Sequence, residues 1–303
     1  MLDILLYEGF GDHASAAADY AAQLEDAATR DVDAGHLVQF AKVGTHTIGE
    51  HLADWPRAVR LAERLLAGRS PDAQTARAWA YLAVARLLAG DGSGAAAAET
   101  AACLGAGADF RPIAVETKFL LVAALVGCGR AADAAPIFGG ALELARALGE
   151  AAPARAIAVA ANNLASELLE APERSSDEAA LMRLAADAAH EFWLKCGDWR
   201  NDERARYLKA LVANVLGQPD AALAHVDAAL GLIAQHGEAP VDETFLRLAK
   251  AHALWMSGDA ALSATELAAA DAAASAWDDP GLASWYADER KRVLPDAAPV
   301  SRA

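Results

Sequence analysis

A glycine followed by alanine at +5, a bulky apolar residue at +9, alanine at +12 and leucine at +13 recurs in this chain. "GQPDAALAHVDAAL" begins at Gly217 and "GRAADAAPIFGGAL" at Gly129. On an α-helix these positions are i, i+4, i+7 and i+8, which is one apolar stripe. The glycine sits just ahead of that helix, where a left-handed residue ends the preceding one. The frame returns elsewhere. Gly11 precedes Ala16, Tyr20 and Leu24, and Gly90 precedes Ala95 and Ala102. Ala53 takes the glycine position ahead of Ala58, Ala62, Leu65 and Leu66. Gly258 is followed by Ser263, where the other units have alanine, and then by Leu267 and Ala270. A further unit around Ala165, Ala179 and Ala186 fits if its turn is two residues longer.

Seven positions before the anchor lies a small or β-branched residue, namely Ala83, Val122, Ala210 or Ala251. A second helix therefore precedes each turn, and the unit is a helical hairpin. Composition agrees. The 303 residues are 55% hydrophobic but only 6% aromatic, and much of the apolar content is alanine. Alanine is the best helix former but buries little area, so such helices must pack backbone to backbone. Strand-like alternation is absent. The spacing predicts an all-α chain, an α-solenoid of about six to seven stacked antiparallel hairpins. It occupies residues 1–293, with a half-unit at 1–28, a capping helix at 279–293 and a flexible tail at 294–303.

The units resemble the tetratricopeptide repeat. The resemblance rests on Trp79, Leu82 and Ala83 before Gly90, and on the Ala, bulky, Ala series after each anchor. It covers roughly residues 1–275, although the units recur at roughly 37 to 45 residues, against about 34 in that family. "NNLA" at 162–165 resembles first-helix segments of kinesin-light-chain-type repeats. The resemblance implies a right-handed superhelix whose first helices line a concave groove, where asparagine side chains hold the backbone of an extended peptide. Asn is a mediocre helix former, so Asn162 and Asn163 in mid-helix call for such a reason. Counting from the anchors places Arg77, Phe119, Asn162, Arg204, Tyr207, Asn214, His252 and Trp255 in that groove. Lys118 has no Asn partner in its own helix, so recognition of a chain terminus is not expected.

Other motifs point away from chemistry. "HTIGEH" at 46–51 spaces its histidines by five, which on an α-helix puts His51 about 140° round from His46. One metal could not be gripped by both. "GDGSGA" at 90–95 follows a helix rather than a strand, so it is a turn and not a dinucleotide loop. "HEFWLKCGDWRNDER" at 190–204 gathers His190, Phe192, Trp193, Cys196, Trp199 and Arg200 around Gly197. It reads either as a binding loop or as a helix junction capped by Gly197, and the junction is the simpler reading. No catalytic residue, metal or cofactor is expected.

A formal net charge of −16 disfavours nucleic-acid and membrane-surface partners. The three cysteines form no CxxC, the start of the chain has no basic region, and no long apolar run occurs. Those features lead to a bacterial cytoplasmic protein. The expected function is non-catalytic binding of a peptide or helix of another protein in the groove, as a scaffold, assembly factor or regulator. Two alternatives stand beside it: an enzyme or small-molecule sensor using the 190–207 cluster, and a self-associating module such as a homodimer.

Overall fold

The computed structural model describes residues 2, 5, 6 and 16–293. The Gly11 anchor, twelve residues of the N-terminal half-unit and the tail at 294–303 lie outside the described residues. Within them the chain forms fourteen α-helices and no strand. It divides into two compact units, Met1–Ala156 and Ile157–Ala303.

The first unit holds α1 (Ala17–Ala27), α2 (Ala34–Gly44), α3 (Trp55–Leu66), α4 (Ala76–Leu88), α5 (Gly92–Ala106), α6 (Arg111–Gly127) and α7 (Ala131–Leu148). A π-helical segment, Thr45–His51, prolongs α2. The second unit holds most of α8 (Ala154–Glu170), then α9 (Ser176–Cys196), α10 (Trp199–Val215), α11 (Pro219–His236), α12 (Pro240–Met256), α13 (Ala260–Ala274) and α14 (Pro280–Val293). The most extensive packing joins consecutive helices: α4 with α5, α6 with α7, α10 with α11, and α12 with α13. These are antiparallel hairpins, and α14 is the helix expected at 279–293.

The anchor residues do what the spacing requires. Gly90, Gly129, Gly217 and Gly258 have φ of 85°, 71°, 67° and 83°. Ala53 adopts φ 52°, as no other described non-glycine residue does. Its backbone follows the frame although its side chain opposes it, at about 1–2 kcal/mol. The turns stay short. Only Cys128, Gly129 and Arg130 separate the 17-residue α6 from the 18-residue α7. In this hairpin longer helices, not a longer turn, lengthen the repeat, whereas a nine-residue connection joins the 12-residue α3 to the 13-residue α4.

The turn from α8 to α9 is built differently. It runs from 171 to 175, two residues longer than the others. Arg174 takes the place of a left-handed glycine by donating to the carbonyls of Leu168, Leu169 and Ala171 at the end of α8. Ser175 and Glu178 then close a reciprocal capping box that starts α9.

Small residues set the helix spacing. In the first unit Ala102 of α5 lies in one cluster with Ala80 of α4 and Ile113 of α6. In the second, Ala222 of α11 lies between Ala213 of α10 and Ala253 of α12. Each second helix thus touches its own partner and the next hairpin, so stacking buries what a lone hairpin would expose. Ser263 shows the register directly. Its hydroxyl donates to the Ala251 carbonyl at 2.8 Å, joining the +5 position of one helix to the −7 position of its partner. Serine replaces alanine there because the buried hydroxyl finds an acceptor.

Candidate binding groove in the second unit

Four helices of the second unit each present one stripe to a shared hollow of about 460 Å³. From α8 come Asn162, Ser166, Leu169 and Glu170, spaced i, i+4, i+7 and i+8. From α10 come Glu203, Arg204, Tyr207, Leu208 and Leu211. Val241, Asp242 and Phe245 of α12 and Trp285, Glu289 and Arg292 of α14 complete the wall. A second hollow of about 230 Å³ adjoins it, sharing Leu169, Glu170, Leu211 and Arg292 and adding Arg174, Asn214 and His252. The larger hollow falls within the usual size range of ligand sites, about 300–1,000 Å³.

The wall has an aromatic side and a charged side. Phe245 packs 4.4 Å from the Trp285 ring and 6.5 Å from Tyr207, centroid to centroid. Trp285 is 53% exposed and stands at the rim, whereas Phe245 is buried. Burial pushes the Tyr207 hydroxyl well above its ordinary pKa. On the charged side Arg204 pairs with Asp242 at 3.2 Å and Arg292 with Glu289 at 2.7 Å.

Glu203 has no such match. It is 1% exposed, and neither carboxylate oxygen has a hydrogen-bond partner. Burial first, and then the neighbouring Asp242, push its pKa up to about 7. In the adjoining hollow the Asn214 amide donates to the Ala249 carbonyl at 2.9 Å, but its Oδ1 is buried without a partner. His252 Nδ1 is likewise unmatched, and burial lowers the pKa of that ring.

Of the eight residues placed in a groove by anchor counting, Asn162, Arg204 and Tyr207 line the larger hollow, and Asn214 and His252 the smaller. Trp255, 45% exposed, lines neither; its ring lies 6.4 Å from His252. The other two belong to the first unit. Arg77 pairs with Glu116 at 2.9 Å. Phe119 is a core residue, 4% exposed and packed edge-on against Phe138 at 5.4 Å, with no face left for a ligand. Counting from the turn finds the correct helix but cannot say whether the next helix covers the position.

Sequence reasoning overlooked Glu203 and the whole contribution of α14. Glu203 sits in the charged run "NDER", which reads as a solvated face. Yet Glu203, Tyr207 and Asn214 fall at i, i+4 and i+11 on one stripe, and that periodicity carried the signal. The "DERKR" end of α14 is not merely an exposed terminus. Arg290 donates to both oxygens of Asp271 at 2.8 and 3.1 Å, and Glu289 and Arg292 face the hollow.

The 190–204 cluster forms a junction between α9 and α10. Gly197 ends α9 with an extended backbone (φ −102°, ψ −177°), not the left-handed cap expected of it. Asp198 and Asn201 form a capping box that starts α10. Trp199 stacks on His236 at 5.3 Å, the Arg200 guanidinium covers Trp199, and His190 pairs with Asp202 at 2.7 Å.

His46 and His51 do not face apart as expected, because the segment that carries them is π-helical and not α-helical. The π-helical turn carries five residues back to nearly the same face, and the two Nε2 atoms lie 3.1 Å apart. His46 Nδ1 contacts Glu50 at 2.6 Å. Among the described residues, no group of three or more His, Cys, Asp or Glu side chains is arranged to hold a metal ion.

Stacked helical hairpins with a groove walled by first helices define a helical-repeat protein. No protein-family model matches the chain. No curated protein sequence matches it either. Among solved structures, the chain is similar to BtubC (BKLC) from P. vanneervenii, at 16% identity and a TM-score of 0.45, over 81% of this chain and 92% of that one. No helix among the described residues is long and apolar enough to cross a membrane.

Proposed function

We propose that this chain is a non-catalytic binding scaffold of the tetratricopeptide-repeat type, and that its second unit holds a segment of a partner protein. The observation that carries this reading is the convergence of Asn162, Arg204 and Tyr207 on one open hollow that α14 extends with Trp285. An amide and a guanidinium stand beside a rim of aromatic surface, the combination that grips a peptide backbone and seats its side chains. The junction at 190–202 supports the non-catalytic reading, because Asp198 and Asn201 serve a helix cap and His190 and Asp202 an ion pair.

Selection of heptapeptides from a randomised library on the full chain tests the groove. The Asn162→Ala, Trp285→Ala double variant removes one amide and one exposed ring and spares the core. The selected peptides are expected to bind it at least tenfold more weakly, with unchanged helicity. Equal binding to both proteins would reject the groove.

A further inference from the structure

The groove contains one buried charged group that its own chain leaves unmatched, and the surrounding chemistry restricts what can match it. Both oxygens of Glu203 are buried and unpartnered on the wall of the hollow. The two arginines of that wall are engaged by Asp242 and Glu289. An anionic ligand would meet a wall on which carboxylates outnumber guanidinium groups. A purely apolar ligand would leave the carboxylate desolvated, which is costly for a charge. A cation satisfies it. Of the two cationic side chains, the guanidinium donates two parallel N–H bonds to a carboxylate and stacks on aromatic faces, whereas ammonium is a compact, strongly hydrated point charge. Tyr207 and Phe245 supply the aromatic side next to Glu203.

We propose that the groove selects an arginine side chain of the partner segment, seated with its guanidinium on the Glu203 carboxylate and against the Tyr207 and Phe245 rings. This inference rests on the groove reading above. It adds a pH dependence. The charged groups facing Glu203 are Asp202 and Arg204 on its own helix, Asp242 from α12, Glu170 from α8, and Glu289 and Arg292 from α14. With its pKa at about 7, Glu203 is largely protonated at pH 6 and largely ionised at pH 8. A guanidinium binds the ionised form. Affinity should therefore rise about tenfold from pH 6 to pH 8, with release of a proton on binding.

The test uses the same library selection on the full chain, followed by binding measurements with the selected peptides. Arginine should be enriched at one position. Replacing it in the peptide with citrulline, which keeps the shape and loses the charge, should weaken binding at least tenfold, and lysine should do so by a smaller factor. Glu203→Gln should abolish the preference for arginine over citrulline and flatten the pH dependence. Peptides that depend on Asn162 and Trp285 but carry no arginine would overturn this proposal and leave the groove standing. Citrulline or lysine peptides that bind as well as arginine would overturn it too. Failure to select any peptide sensitive to the groove variant would overturn both readings.

Discussion

The two units use the same hairpin, yet they treat the acidic side chains of their first helices in opposite ways. In the first unit Glu116 of α6 is partly desolvated, and its pKa is raised by burial. Arg77 of α4 meets it at 2.9 Å and opposes that rise. Phe119, one turn further along α6, is packed into the core. In the second unit Glu203 of α10 is less exposed than Glu116 and has no ion-pair partner, while Tyr207, one turn further on, borders open space. A matched pair needs nothing from outside. An unmatched carboxylate beside a hollow is a local instability, which the proposed groove would put to use in recognition. The repeat is the framework, and the difference between units lies in which charges are matched.

The largest effect expected from breaking this contrast is at Glu203 itself. Its folded pKa, about 7, lies above the ordinary carboxylate value of 4.5. The folded state therefore binds the proton more tightly than the unfolded state does. Stability is fully present below about pH 4.5 and falls as the pH rises through 7. Glu203→Gln removes that loss. Relative to the parent chain it should gain about 3 kcal/mol between pH 4 and pH 8, read by denaturant unfolding at each pH. A difference that does not change with pH would show that Glu203 is matched after all.

The second effect tests whether the framework is truly shared. Ala102→Leu in the first unit and Ala222→Leu in the second each force a larger side chain between three helices, at about 2 kcal/mol. The two losses, measured by thermal unfolding with the other unit intact, should agree within about 1 kcal/mol. A parent-like transition for either would remove that alanine from the contact between hairpins.

The smallest effect turns the first unit into an imitation of the second. Arg77→Met keeps an apolar stem over the helix and leaves Glu116 without its cation. Arg77 is 54% exposed, so solvent screens the pair and the loss should be about 1 kcal/mol at pH 8. It should shrink as the pH falls and Glu116, whose pKa burial raises, becomes protonated. Loss of equal size at high and low pH would assign it to packing instead of charge.

Much of the framework was legible because it depends on backbone conformation and on side-chain size. The anchors at Ala53, Gly90, Gly129, Gly217 and Gly258 were readable from spacing alone, and all five adopt positive φ. The longer turn before α9 was readable as a two-residue insertion. The groove was less legible. Asn162, Arg204 and Tyr207 could be placed on the inward stripe of their helices, yet so could Phe119, which the core covers. Helical phase says which way a side chain points, not what stands opposite it. The His46–His51 approach was missed for another reason: a single π-turn changes the phase, and nothing in "HTIGEH" announces it.

The order of residues along the chain determined the helices, their pairing and their turns, because alanine stripes and left-handed anchors act over a few residues of local backbone. Only the tertiary structure decided which carboxylates are matched. Glu116 and Glu203 both lie in the N-terminal half of a first helix, and their difference arises from what other helices bring near them. Charge and burial are pairwise properties of distant segments. The arrival of α14 beside α10 and α12 turned a repeat surface into a hollow with one unanswered charge.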